Sequence, residues 1–94
     1  MPIQRKVARL APQSYLGRQT YFVTICCDRR APYLREEATA QRVLSVLRES
    51  AAGHAFLLHA FCLMPNHVHL LVEGTHERCD LCEFIRLFKQ RTAY

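Results

Sequence analysis

Two β-like runs, Ala55 to Met64 and His67 to Glu73, are separated only by Pro65 and Asn66. A connection of two residues leaves no room for a crossover, so these runs can pair only as an antiparallel hairpin, and the rest of the chain must be arranged around it. Gly74 closes the second run. Upstream, Thr20 to Cys27 (TYFVTICC) is rich in β-branched and aromatic residues and ends at the polar cluster Asp28-Arg29-Arg30, the profile of another strand. Between that strand and the hairpin, Ala40, Val43, Leu44, Leu47 and Ala51 recur at the spacing of one helical stripe. This predicts a helix from about Glu36 to Ala52, with Gly53 as its stop. After the hairpin, Asp80 and Glu83 have the spacing of a capping box, and Leu81, Phe84, Ile85 and Phe88 form the stripe of a second helix reaching about Ala93.

The order strand, helix, strand, strand, helix predicts an α+β fold: a ferredoxin-like split β-α-β antiparallel sheet with helices. That arrangement calls for one more strand after the second helix, so the fold is expected to be incomplete and the chain a fragment. Ninety-four residues hold a single core, and half of them are apolar, which argues against disorder over most of the length. Residues 1–19, with Pro2, Pro12, Gly17 and scattered charge, read as a basic N-terminal arm running over the surface, and residues 20–94 as the folded domain.

The formal charge is +5, and its distribution says more than its size. Arg5, Lys6, Arg9, Arg18, Arg29 and Arg30 face the single Asp28 in residues 1–30, whereas basic and acidic residues balance over residues 31–94. An anionic partner fits such a chain. The N-terminus lacks the apolar segment of a secretory signal. The longest greasy stretch, Ala55 to Met64, is about half of what a membrane-spanning helix requires, so a soluble cytoplasmic protein with no membrane partner is expected. Five cysteines, two of them adjacent, then read as reduced thiols rather than a disulfide framework.

Strand side chains alternate, so His67 and His69 share one face while Val68, Leu70 and Val72 take the other. Two imidazoles at neighbouring same-face positions can reach one divalent cation and leave coordination sites for water or substrate. The same spacing equally serves a pair of surface or hydrogen-bonded histidines. Cys79-x-x-Cys82 is half of a zinc spacing with no second pair at a usual distance, and Cys26 and Cys27 point to opposite faces. His54, His59 and His76 read as structural or solvated. Arg86, Lys89 and Gln90 share the polar side of the second helix, with Arg91 beyond them; together with Arg18, Arg29 and Arg30 they could track phosphates.

The segments YLGRQTYFVTICCDRRAPYL, HAFCLMPNHVHLLVEG and EFIRLFKQRTAY together resemble the HUH single-tyrosine transposases, specifically the REP-associated (IS200-like) tyrosine transposases of bacteria, from about Tyr15 to Tyr94. MPNHVHLL directly after an apolar strand is the specific signature. The resemblance implies a ferredoxin-like domain that cuts and rejoins single-stranded DNA beside a recognised hairpin. It also implies that His67 and His69 are the catalytic metal ligands, binding Mg²⁺ or Mn²⁺, and that Asn66 belongs with the DNA-binding residues. The ion would polarise the scissile phosphate while a tyrosine attacks, leaving a 5′-phosphotyrosine and a free 3′-OH. In relatives the nucleophilic tyrosine and a third metal-supporting side chain lie on a later helix, beyond a further strand, so the nucleophile role is not carried over to Tyr94. Three expectations follow: a C-terminally truncated transposase domain, a remnant that binds single-stranded or hairpin DNA without cutting, or an unrelated ferredoxin-like metal-binding module. The oligomeric state stays open between monomer and dimer.

Overall fold

A computed structural model describes residues 15–92. The expectations for residues 1–14, and the question of Tyr94, lie outside them. Three strands, β1 (Thr20–Cys26), β2 (Phe56–Met64) and β3 (His67–Gly74), form one antiparallel sheet in the order β1-β3-β2, with α1 (Glu37–Gly53) joining β1 to β2 and α2 (Leu81–Thr92) following β3. The hairpin strand β3 is thus inserted between β1 and β2, which is the split β-α-β arrangement. The outer edge of β1 has no partner strand among the described residues.

Both helices cover the same face of the sheet. Ile25, Val68, Leu70 and Val72 point into it and are fully buried against Val43, Leu47, Phe84 and Phe88. Phe84 stacks on Phe56 with ring centroids 4.9 Å apart. Each such large side chain contributes about 1.5–3 kcal/mol relative to exposure, so the periodic stripes read from the sequence are what attach the helices. The opposite face of the sheet carries no helix, and its strand residues are the less buried ones.

Strand β2 does not alternate along its whole length. Leu58 pairs with Val72 and Ala60 with Leu71, leaving His59 as a bulge. The extra residue switches the parity: Phe56 and Leu58 lie on the helix-bearing side before it, Leu63 and the exposed Phe61 after it, and Cys62 and Met64 are thereby turned toward the histidine face. The bulged His59 bonds Glu73 through Nε2 at 2.8 Å.

Two local expectations are corrected. Gly53 is the last residue of α1 rather than its left-handed stop; the left-handed residue is Ala55, with φ 60°. Its carbonyl is turned to accept from the Thr75 backbone N–H (3.1 Å), the Thr75 hydroxyl (2.7 Å) and the Cys79 thiol (3.3 Å), and these bonds hold a conformation alanine disfavours. Half of the capping box forms: Asp80 Oδ1 accepts from the Glu83 N–H at 3.2 Å, but the Glu83 carboxylate turns to Arg86 instead of back to the cap. The described end of the expected arm, residues 15–19, is stitched to the domain. Gly17 N–H donates to the Cys79 carbonyl at 2.8 Å, Leu16 bridges to Asp80, and Gln19 O accepts from the Gly74 N–H at 3.0 Å. Among the described residues no helix is long and apolar enough to cross a membrane.

Candidate functional site

His67 begins β3 immediately after the Pro65-Asn66 turn, and His69 follows on the same, helix-free face. The β1 register places Cys26 beside His67 and Thr24 beside His69; the β2 register places Met64 and Cys62 on their other sides. The two rings meet edge to face with Nε2 atoms 3.1 Å apart. Ligands at right angles around an octahedral cation with bonds of ~2.1 Å lie ~3.0 Å apart, so the pair has the spacing of two adjacent positions on one ion.

Neighbours settle which nitrogens are presented. Asn66 Oδ1, which can only accept, takes the Nδ1 proton of His67 at 2.6 Å and leaves the Nε2 lone pair free. Thr24 Oγ1 lies 3.1 Å from His69 Nδ1. Without a cation, the threonine hydroxyl donates to Nδ1 and His69 Nε2–H donates to His67 Nε2, which closes a satisfied chain. The hydroxyl can reverse its role and accept an Nδ1–H, releasing the second Nε2 lone pair for a cation. Both histidines are thus oriented by a partner on the far ring nitrogen, as metal-binding histidines usually are. Asn66, expected among the DNA contacts, has its amide oxygen engaged in this task. Thr24 was not singled out in the sequence; only the TYFVTIC alternation hinted that Phe22, Thr24 and Cys26 share a face, and nothing in it placed that face beside His69.

A cation would find only two protein ligands here, because no group of three or more His, Cys, Asp or Glu able to hold a metal occurs among the described residues. The two-nitrogen set fits a hexacoordinate ion whose other positions are filled by water or phosphate oxygens. Outer-shell partners commonly change affinity ~10–100-fold, so Thr24→Val, which removes the hydroxyl at nearly constant volume, is expected to weaken Mn²⁺ binding about tenfold in a titration followed by His69 resonances.

Arg29 and Arg30 lie at the end of β1 nearest the pair, in a short 3-10 turn where both adopt left-handed backbone conformations with φ 53° and 54°. Cys27 N–H donates to the Asn66 carbonyl at 2.9 Å and so anchors this turn to the one that carries His67. Both guanidinium groups are exposed and have no ion-pair partner among the described residues. Arg18 precedes the opposite end of β1, across a seven-residue strand, and does not join them. At ~3.3 Å per residue that separation is about 20 Å.

The basic residues of α2 are placed elsewhere again, on the helix layer that covers the other face of the sheet. Arg86 makes two bonds to Glu83, at 3.0 and 2.7 Å; this hydrogen bonding holds the Glu83 carboxyl below its ordinary range and raises the Arg86 guanidinium above its own. Arg91 ties α2 to α1 through Glu49 (2.7 Å) and Ser50 (3.2 Å). Lys89 is half-buried and also partnered. The phosphate-tracking stripe expected on this helix is therefore largely committed to structural pairs.

The remaining candidates are structural. The Cys79 thiol is buried and bonds backbone carbonyls, Cys82 is exposed, and all five cysteines are free thiols. His54 packs its ring near Phe84, and His76 Nδ1 accepts from the Arg78 N–H. Tyr21 points into the core face with its hydroxyl buried, and that burial pushes its pKa up, so it is neither near the pair nor disposed to ionise.

The chain is thus an α+β domain with a split β-α-β sheet that carries its His-x-His pair on the helix-free face. Residues 16–94 match the family model described as Transposase IS200 like, and the chain belongs to that family. The fold is similar to that of a REP-associated tyrosine transposase solved bound to a REP hairpin, with TM-score 0.73, 19% identity, and coverage of 95% of this chain and 51% of that one. It is also similar to the crystal structure of a candidate transposase from Deinococcus radiodurans R1, with TM-score 0.70, 24% identity, and coverage of 94% and 63%. The chain thus spans between half and two thirds of the length of these two proteins. No curated protein matches it.

Proposed function

We propose that this domain binds single-stranded or hairpin DNA on the helix-free face of its sheet and holds Mg²⁺ or Mn²⁺ between His67 and His69, as the metal-holding part of a transposase that cleaves and rejoins DNA by tyrosine transesterification. The observation that carries the reading is the convergence of two Nε2 atoms, 3.1 Å apart, in a chain of this family. A bound cation supplies charge neutralisation at the non-bridging oxygens of a scissile phosphate. The protein's own part is positional. Asn66 and Thr24 hold the far nitrogens of the two rings, so that once the Thr24 hydroxyl accepts from His69 Nδ1 both Nε2 atoms are available to one ion. Arg29 and Arg30, without an ion-pair partner among the described residues, bring positive charge to the same end of the sheet for the flanking phosphates. None of these groups is a nucleophile, and the Tyr21 hydroxyl is buried on the opposite face.

Titrating Mn²⁺ while following histidine resonances tests the site. His67 and His69 should broaden first, at lower concentrations of Mn²⁺ than of the other divalent candidate Mg²⁺ needed to shift them, because imidazole suits the later, softer cation. Broadening that falls equally on His54, His59 and His76 would remove the case for a site.

The DNA contacts have a separate test in salt dependence. Replacing Arg29 and Arg30 together with Ala should reduce the slope of log affinity against log salt by about 1.4, at ~0.7 per lost single-strand phosphate contact. Arg86→Ala should leave the slope unchanged, since Glu83 already neutralises that charge. An unchanged slope in the double variant would mean that the strand end does not hold phosphate.

A further inference from the structure

We propose that Phe22 is a stacking platform for a nucleobase, holding the nucleotide next to the phosphate addressed by His67 and His69. This rests on the DNA-binding reading above and deepens it to one residue and one kind of contact. Phe22 stands in the middle of β1, opposite Leu71, and is 71% exposed, more than any other large apolar side chain among the described residues. Its backbone is pinned by pairing with β3, so the ring cannot fold away as a loop side chain would.

One side of that ring is already engaged. It lies within 12° of the plane of the His69 imidazole, with centroids 5.6 Å apart, which is an offset parallel stack. Thr24, two residues along on the same face, is hydrogen-bonded to the Nδ1 of the same histidine. A planar group laid on the free side of Phe22 would continue the stack of Phe22 on His69, one ring removed from the converging Nε2 atoms.

The surroundings select a nucleic-acid base over an apolar protein segment. Phe22 is flanked along its strand by Thr20 and Thr24 and across the sheet by His69 and Glu73. The row through it continues as the exposed Leu71 and Ala60, with Leu57 beyond, so it is the one large aromatic ring among smaller apolar and polar side chains. The carboxylate on that face, Glu73, is occupied by His59 at 2.8 Å. Arg29 and Arg30, which have no ion-pair partner among the described residues, follow the end of the same strand and complement a polyanion. Stacking on an exposed aromatic needs only the π-face that every base has, so the contact is sequence-tolerant.

The test titrates single-stranded oligonucleotides, each with one abasic position moved along its length, against wild type, Phe22→Ala, Phe22→Leu and Phe22→Trp in Mn²⁺, read by fluorescence anisotropy. On the intact strand the Ala and Leu variants should bind about 5- to 150-fold more weakly, while Trp keeps wild-type affinity. The Phe22→Ala penalty should vanish on the oligonucleotide whose abasic position removes the stacked base, which isolates the pairwise contact. Mn²⁺ broadening of His67 and His69 should be the same in Phe22→Ala and wild type.

Wild-type affinity in the Leu variant would overturn the proposal, because bulk without a π-face would then suffice. A penalty that persists at every abasic position, or a parallel loss of Mn²⁺ binding, would overturn it as well and leave Phe22 a mere support for His69. Wild type that binds no strand at all would remove the DNA-binding reading and this inference together, whereas wild-type binding with no dependence on Phe22 would remove only the inference.

Discussion

Gly74→Ala is expected to lower the melting midpoint by roughly 10–20 °C, the equivalent of about 2–3 kcal/mol for a domain of this size. The reason is space. A Cβ on Gly74 would run into the carbonyl oxygen of Gly17 and press within 2.9 Å of the Cys79 Cβ, and the first of these is backbone that no rotamer change can clear. Gly74 is fully enclosed where the 15–19 segment, the end of β3 and the approach to α2 meet, and the bonds Gly74 N–H to Gln19 O and Gly17 N–H to Cys79 O depend on that close approach. Gly53→Ala is the internal control: its Cβ meets nothing within 4 Å, and the residue is helical, so this substitution should be neutral or stabilise by about 0.5 kcal/mol. Thermal melts of the two variants side by side check the argument. Equal midpoints would show that the Gly17–Gly74 contact does not hold the segment to the sheet.

His67→Ala and His69→Ala are each expected to abolish measurable Mn²⁺ binding, a loss larger than the ~10–100-fold that outer-shell substitutions cost. With two protein nitrogens in the set, removing either leaves a single imidazole, which holds a divalent ion no better than any exposed histidine. Neither change should unfold the protein, since both rings are only partly buried and lie on the face away from the core. His59→Ala supplies the comparison. It removes a histidine from the same sheet and breaks the bond to Glu73, but it should leave the Mn²⁺ response of the other two intact. Retained binding in either of the first two variants would move the site elsewhere.

Several readings were open to inspection in the residues themselves. The two-residue link at Pro65-Asn66 compels an antiparallel hairpin, alternation puts His67 and His69 on one face and Val68, Leu70 and Val72 on the other, and the helical stripes identify Val43, Leu47, Phe84 and Phe88 as core. These follow from geometry local to a strand or a helix, which a short stretch of sequence contains in full. The resemblance carried by MPNHVHLL led to the family that residues 16–94 match.

What the chain could not disclose along its length was which separate elements meet. Basic residues looked like one population, yet folding pairs Arg86 with Glu83, spends Arg91 on Glu49, places Arg18 at the far end of β1, and leaves Arg29 and Arg30 just past the strand end that pairs with His67. Thr24 and Phe22 acquire their relation to His69 only through the register of β1 on β3, forty-five residues apart in the case of Thr24, and the parity switch at His59 depends on pairing with β3. Composition and periodicity determined the elements, their order and the faces they bury, because those depend on neighbours in sequence. The tertiary structure alone decided the partners of each charge and the orientation of each imidazole, because a hydrogen bond or an ion pair depends on distances between atoms that the sequence separates.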